Sequence, residues 1–206
     1  MSSTSVIFHG RLKRAIMDDS PFRVKEALNL GTNINQPDVV FPCITPLMRA
    51  ITYAGMDVIE MILSWPGLDI NAVDMRGNNA LLYAAHRAIS ECYMIGNIYR
   101  LHDAGIKINN CNNMGQTSLM HIIAENAYNN ITCIRYLLAA GTNIHAKDKL
   151  NYTAYDYAKS KDRKDIVVLL NTYYLKMVSS IGGYLSIIPR DIREYIEKFS
   201  FFMSRY

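Results

Sequence analysis

Apolar and polar positions alternate along this chain in a pattern that repeats at an almost fixed distance. Its clearest marker is a glycine followed by isoleucine three residues later and by a polar residue after that. The marker begins at Gly31, Gly67, Gly105 and Gly141, in steps of 36, 38 and 36 residues. Self-similarity at such a period indicates an array of stacked structural units.

The sequence pattern of each unit predicts two helices and a loop. Thr45, Thr117 and Thr153 head three of the units, and a threonine in this place can cap a helix by accepting a backbone N–H bond. Asn79 stands there in a fourth unit, and the first unit lacks this head. The apolar run that follows predicts a short inner helix, and a second, amphipathic helix ends at the glycine, which tolerates the left-handed conformation. The polar segment after it predicts a projecting loop, with Gly77 in a turn.

The pattern predicts an all-α solenoid of about five helix pairs over residues 1–178. The units span residues 7–40, 41–72, 73–110, 111–146 and 147–171, and are called units one to five below. The residues expected to be buried between neighbouring units are Leu47, Leu81, Leu119, Ala84, Ala85 and Ala124. Unit five ends without another glycine marker, so the array stops there.

Residues 7–171 resemble the ankyrin repeat, whose period is about 33 residues with a T-P-L-H-x-A core. The Gly-x-x-Ile-Asn ends match well, and the stretches 117–121 (TSLMH) and 74–77 (DMRG) match loosely. The resemblance implies a scaffold whose loops and inner helices bind other proteins. The stretches 79–105 and 117–141 are longer than the repeat requires, which predicts longer helices or connections in units three and four.

The C-terminal segment, residues 179–206, differs from the repeats. Pro189 begins a predicted short helix with one apolar stripe, formed by Ile188, Ile192, Ile196 and Phe199. The segment resembles the abbreviated F-box-like segment (PRANC type) at the C-terminus of poxviral ankyrin proteins, also seen in some intracellular bacteria, although an isoleucine precedes the proline here instead of leucine. The resemblance implies docking on the adaptor subunit of a cullin–RING ubiquitin ligase through Ile188, Pro189, Ile192, Ile196 and Phe199. The alternative is a helix that only caps the last repeat.

Composition excludes several function classes. A chain of 206 residues with 50% hydrophobic residues has length for one solenoid and a short appendage. Its net charge of +4 is spread without a long basic run, which argues against nucleic-acid binding and against a polybasic membrane patch. The N-terminus lacks the apolar region of a secretory signal, and no apolar run approaches the roughly 20 residues needed to cross a bilayer, so we expect a cytoplasmic protein, in the host cytoplasm if the source is a virus or pathogen.

The residue types that could carry catalysis or bind a metal do not indicate an enzyme. The four cysteines, Cys43, Cys92, Cys111 and Cys133, occur singly without C-x-x-C spacing, which favours small apolar fillers in a reducing compartment over a metal site or disulfides. Nucleophilic catalysis needs a nucleophile, a base and a third group that orients the base, and the sequence shows no such set around His86, His121 or His145. It also contains no phosphate-binding glycine loop. We expect no catalytic residues, metal or cofactor.

Protein binding remains, in two forms. The chain either recruits a host target to a ubiquitin ligase or inhibits a host signalling protein by occupying it. Loops on a rigid scaffold can vary without disturbing the core. We therefore predict target contacts at the loop residues Met75, Arg76, Met114, Gln116, Lys149 and Tyr152.

Overall fold

The computed structural model describes residues 3–86, 91–125 and 130–180, and over these ranges the regular structure is helical. The helices are α1 Ser3–Met17, α2 Pro21–Asn29, α3 Pro46–Tyr53, α4 Met56–Leu63, α5 Ala80–His86, α6 Glu91–Asp103, α7 Ser118–Ala124, α8 Ile131–Ala139, α9 Ala154–Ser160 and α10 Lys164–Ser180. In the described ranges the only β pairing is an isolated bridge between Cys111 and Thr117. The predicted all-α class is confirmed.

The helices form two layers of a solenoid. Within each unit the two helices contact each other, and the odd-numbered helices α1, α3, α5, α7 and α9 contact one another in sequence as the inner layer. In the outer layer α2 contacts α4, and α6 contacts α8. The five predicted helix pairs are therefore present and stack in chain order.

The predicted caps account for where the inner helices begin. The side-chain oxygens of Thr45, Thr117 and Thr153 each accept a hydrogen bond from the backbone N–H three residues further on, at 3.3 to 3.4 Å. The amide oxygen of Asn79 does the same for α5, at 3.1 Å. Each cap satisfies one of the N–H groups that a helix start leaves without a partner.

One continuous core runs between the layers. Leu47, Leu81, Leu119, Ala84 and Ala85 are at most 3% exposed, as predicted. Ala124 is only half-buried because it is the last residue of α7, where the helix gives way to the connection to α8. In unit five Ile166 and Leu170 are buried and Val167 and Leu169 pack partly buried against the same core.

The extra residues of units three and four lie in different places. In unit three they lengthen the outer helix, because α6 has 13 residues where α4 has eight. In unit four they lengthen the connection, which runs from the end of α7 at Ala124 to the start of α8 at Ile131. Both outcomes that the sequence left open therefore occur.

The repeat ends are joined by side chains that we call the asparagine ladder, Asn35, Asn71 and Asn109. The side-chain oxygen of each accepts the backbone N–H two residues beyond the next marker glycine, in Asp69, Lys107 and Asn143, at 2.7 to 2.8 Å. The amide nitrogens of Asn35 and Asn109 also donate to the carbonyls of Gly67 and Gly141, at 2.7 and 3.2 Å. The polar residue of the marker is thus an inter-repeat link.

His145 occupies the ladder position in unit four, where no further marker glycine follows. Its ring instead meets Tyr174 of α10 edge-on, with 5.4 Å between ring centroids. Histidine thus replaces the ladder asparagine in the last unit that carries a marker glycine.

The interpretation of the cysteines as apolar fillers holds for Cys133, which is buried, but is wrong for Cys92 and Cys111, which are exposed. Cys92 lies on the outer helix α6 and Cys111 in the loop between units, so neither belongs to the core. Over the described ranges none of the four cysteines forms a disulfide.

No described helix is long and apolar enough to span a membrane. The sequence predicts that a C-terminal segment begins at residue 179. Residues 181–206 lie outside the described ranges. They include the predicted ligase contacts Ile188, Pro189, Ile192, Ile196 and Phe199.

Candidate protein-binding surface

In three of the loops between units, the side chain of the opening aspartate or asparagine accepts hydrogen bonds from the loop's own backbone. In the loop before α5, Oδ1 of Asp74 accepts the N–H groups of Arg76 and Asn78, at 2.8 and 2.9 Å. Asparagine and aspartate favour such turns because their short side chains reach a backbone N–H two residues on. The same pair of bonds joins Asn112 to Met114 and Gln116, and Asp148 to Leu150 and Tyr152.

The carboxylates of these loops are also held from the inner helices. Tyr83 donates its hydroxyl to Asp74, and Tyr157 donates to Asp148, both at 2.8 Å. Burial, reinforced by the bond to the Asp74 carboxylate, raises the pKa of Tyr83 well above its ordinary value. In the first loop Asp38 forms an ion pair with Arg49 instead. Arg49, Tyr83 and Tyr157 stand four residues after the head of their units, as His121 does in unit four. The histidine of the T-P-L-H pattern stands one residue earlier, three residues after the head.

Backbone hydrogen bonds connect each loop to the loop before it. The three bonds run from the N–H of Met75 to the carbonyl of Pro42 at 3.0 Å, from Asn113 to Arg76 at 2.7 Å, and from Lys149 to Met114 at 2.8 Å. They hold four successive loops as one continuous edge of the molecule. Side chains on that edge are therefore presented in fixed positions.

Gly115 shows why this edge needs glycine. Its φ is 78°, a left-handed value, and a Cβ added there would lie 2.9 Å from the Cα of Asp148 in the next loop. Gly77 has the same φ, and its Cβ would lie 2.9 Å from the backbone nitrogen of Asn113. Both the turn and the close approach of neighbouring loops exclude a side chain at these positions.

A groove of about 740 Å³ lies between the loops and the inner helices of units two to four. Four of the six predicted contact residues line it, namely Met75, Arg76, Met114 and Gln116. The remaining lining residues are Phe41, Pro42, Ile44, Thr52, Tyr53, Asn78, Leu82, Tyr83, His86, Asn112, Asn113 and His121.

The predicted contact residues differ in how available they are. Met75 is 62% exposed and Met114 is 50% exposed, and Arg76 is also exposed. Gln116 is half-buried, because its amide donates to the hydroxyl of Tyr157 at 2.9 Å and its oxygen accepts from Asn112. Lys149 and Tyr152 are exposed on the next loop, beyond the lining of the groove.

Sequence reasoning missed the aromatic part of the groove. Phe41 is 59% exposed, and the guanidinium carbon of Arg76 lies 4.8 Å from the centroid of its ring, a cation–π arrangement. Tyr53 is 48% exposed on the inner helix α3. The available signal was the first loop, which is two residues longer than the others between Asn35 and Thr45 and carries the apolar run from Val39 to Phe41.

Two histidines lie at the far side of the groove. The rings of His86 and His121 meet edge-on with centroids 5.8 Å apart, and Nδ1 of His86 lies 3.1 Å from a carboxylate oxygen of Glu125. Burial, and then the charge of His86, lower the pKa of His121. Nε2 of His121 is buried and has no hydrogen-bond partner among the described residues. No group of three or more potential metal ligands occurs among the residues the structure describes.

Stacked helix pairs with projecting loops and an apolar groove define a helical repeat solenoid of the kind that presents a binding surface. The family model of the ankyrin repeat matches residues 114–149, which begin in the loop at Met114 and include α7 and α8. The chain is therefore an all-α solenoid that carries an ankyrin repeat, a module for protein–protein interaction.

Proposed function

We propose that this chain is a protein-binding adaptor, which holds a target protein in the groove of units two to four and recruits a cullin–RING ubiquitin ligase through its C-terminal segment. The observation that carries the first half is the exposure of large apolar side chains around one groove, with Phe41, Met75 and Met114 all at least 50% exposed. Contiguous exposed apolar side chains rimmed by polar residues are typical of interaction sites.

The rigidity of the loops favours binding. Full burial of one methionine or phenylalanine side chain contributes about 1.5 to 3 kcal/mol, and ordering flexible loops would offset part of that gain. Here the loops are already ordered by their own aspartate or asparagine and by the bonds between neighbouring loops. Binding therefore loses little conformational entropy in the backbone.

The ligase half of the proposal rests on the sequence of the C-terminal segment. A helix that docks in a groove uses anchors three or four residues apart, and Ile188, Ile192, Ile196 and Phe199 have that spacing after Pro189. The target groove belongs to units two to four, whereas this segment follows unit five, so the two proposed sites use different parts of the chain. Both events belong in the cytoplasm of a cell that contains the ligase, which is the host cell if the source is a virus or intracellular pathogen.

The groove is tested by the double substitution Met75→Asp and Met114→Asp, with target capture from cell extracts as the measurement. We expect captured proteins to be lost at unchanged thermal stability, because both side chains are exposed. The matched control is Phe22→Asp with Tyr99→Asp, which changes two exposed apolar residues of the outer helices α2 and α6. Retained capture by the first variant, or equal loss in the second, contradicts the placement of the target.

The ligase segment is tested by Pro189→Ala with Ile192→Asp, assayed for cullin subunits in a pull-down and for thermal unfolding. Truncating a buried anchor costs about 2 kcal/mol or more, roughly a thirtyfold loss of affinity. We expect lost pull-down with a nearly unchanged melting temperature. Arg190→Ala with Lys198→Ala, at polar positions of the same segment, is the control. A marked fall in melting temperature, with no cullin captured by the unchanged chain, indicates a capping helix instead.

The second candidate function is inhibition by occupancy, in which the chain sequesters its target without a ligase. It is favoured by the location of the described groove, which lies wholly within the repeats and needs no C-terminal segment to bind. Removing residues 184–206 separates the two functions. An adaptor then still binds its target but no longer lowers the target's amount in cells, whereas an inhibitor by occupancy keeps its full effect.

A further inference from the structure

We infer that the groove selects an acidic protein segment, one in which aspartate or glutamate residues flank the apolar side chains that fill it. The inference rests on the proposed target-binding function and specifies the chemistry of the partner. It follows from the distribution of charge between the interior and the exposed edge of the loops.

The negative charges of the loops are directed inward. Asp38, Asp74 and Asp148 are each at most 7% exposed. Their carboxylates are occupied by the ion pair with Arg49, by the tyrosine hydroxyls and by loop N–H groups. They therefore present no carboxylate to a partner in the groove.

The positive charges of the same loops are directed outward. Arg76 and Lys149 follow two of these buried aspartates by one or two residues and are exposed, as is Lys147. Within the described ranges, no carboxylate lies within ion-pair distance of Arg76 or Lys149. The lining of the groove in the described part of the chain contains Arg76 and two histidines but no aspartate or glutamate. At its histidine side, a carboxylate oxygen of Glu125 lies 3.1 Å from Nδ1 of His86.

Arg76 is arranged to receive a carboxylate. The face of its guanidinium lies over the ring of Phe41, and its backbone is fixed by Asp74 on one side and by Asn113 on the other. A guanidinium that stacks through its face keeps its edge N–H groups available for a two-point bond to a carboxylate. An acidic residue of the partner could thus pair with Arg76 while its apolar neighbours contact Phe41, Met75 and Met114.

A protein segment fits this surface better than a nucleic acid does. Nucleic-acid sites neutralise several phosphates with a row of basic side chains. Here the exposed basic residues are few, and the surface between them consists of methionine and aromatic side chains. Such a surface suits apolar side chains with a small number of flanking carboxylates.

The test uses two fluorescently labelled peptides of about 12 residues with the same leucine and phenylalanine positions, one with glutamate and one with lysine at the remaining positions. We expect the glutamate peptide to bind at least about tenfold more tightly, and to weaken as salt is raised. The variant Arg76→Glu with Lys149→Glu should lose that preference. Lys25→Glu with Arg135→Glu, which makes the same charge change on the exposed outer surface, should keep it.

Equal affinity for the two peptides, preference for the lysine peptide, or no binding of either overturns the inference. Tighter binding of single-stranded oligothymidine than of the glutamate peptide, lost in the Arg76 and Lys149 variant, also overturns it and assigns the surface to nucleic acid. The proposed function fails separately. If capture from extracts is lost with Met75→Asp and Met114→Asp but is insensitive to salt and to Arg76→Glu with Lys149→Glu, the target site stands and the acidic partner is wrong.

Discussion

The hydroxyl of Tyr83 donates a 2.8 Å hydrogen bond to Oδ2 of Asp74, the residue that opens the loop leading into the tyrosine's own helix. Asp74 is 5% exposed, and its other oxygen accepts two N–H groups of the loop. One side chain thus fixes the loop, and one tyrosine fixes that side chain to the inner layer. The orientation of Met75 and Arg76 depends on this arrangement.

Tyr83→Phe should destabilise the fold by about 1.5 to 3 kcal/mol, because a buried carboxylate loses a hydrogen bond. The free energy of unfolding in urea measures the effect. Tyr152→Phe, which removes a hydroxyl from an exposed ring, should change it by less than about 0.5 kcal/mol. Equal effects from the two substitutions would show that the Tyr83 hydroxyl contributes nothing specific.

Gly115→Ala and Gly141→Ala separate backbone strain from steric contact. Both glycines have left-handed φ values, 78° and 82°, but only at Gly115 would the new Cβ meet a neighbouring loop. The strain alone costs about 1 to 2 kcal/mol, and forced contact adds about 1 to 3 kcal/mol. We therefore expect the larger loss of stability for Gly115→Ala in parallel urea titrations. A similar loss for both would argue against tight stacking of the loops.

Asn109→Ala should weaken the join between units three and four. The side chain makes one bond to the N–H of Asn143 and one to the carbonyl of Gly141, and each contributes about 0.5 to 1.5 kcal/mol. Asn109→Asp keeps the acceptor and loses the donor, so its effect should be intermediate. Hydrogen exchange of the Asn143 amide provides a local measurement, and unchanged protection in Asn109→Ala would contradict the ladder.

His121 should make stability depend on pH. Burial and His86 lower its pKa in the folded chain below the ordinary value of about 6.5 that holds in the unfolded chain. As pH falls through about 6.5, the unfolded chain takes up the proton first, so the free energy of unfolding decreases. This contribution to stability is fully present above that pH and is lost as pH falls through the folded pKa.

The measurement is urea unfolding at intervals between about pH 7.5 and 5, a window above the titration of ordinary carboxylates. His121→Asn should flatten the decrease. His145→Asn removes one imidazole from an exposed position and controls for the general loss of a histidine. A slope that persists unchanged in His121→Asn assigns the dependence to other groups.

The sequence carried the architecture because each helix start, helix end and turn has a local chemical cause. Thr45 caps its helix through a local bond that does not depend on contacts with distant residues. The marker glycines end their helices through backbone conformation alone. The all-α solenoid and the buried leucines could therefore be predicted. Ala124 could not, because its exposure depends on where α7 ends and on the length of the connection after it.

The candidate site was only partly predictable, because it depends on contacts between residues distant in sequence. Met75 and Met114 follow from their place in the loops. The stacking of Arg76 on Phe41 needs two loops to lie side by side, and the pairing of Gln116 with Tyr157 needs the neighbouring unit. The exposed cysteines were misjudged because a single small residue has no periodic pattern that reveals which side of a helix or loop it occupies.

The asparagine ladder has a direction along the array. Each repeat provides the side chain, and its C-terminal neighbour provides the backbone groups that receive it. A repeat inserted between units two and three would therefore be linked on both sides if it carried its own glycine and asparagine. One inserted after unit four would need His145→Asn to gain the same link, whereas unit five contacts unit four through α7 and α9 without it.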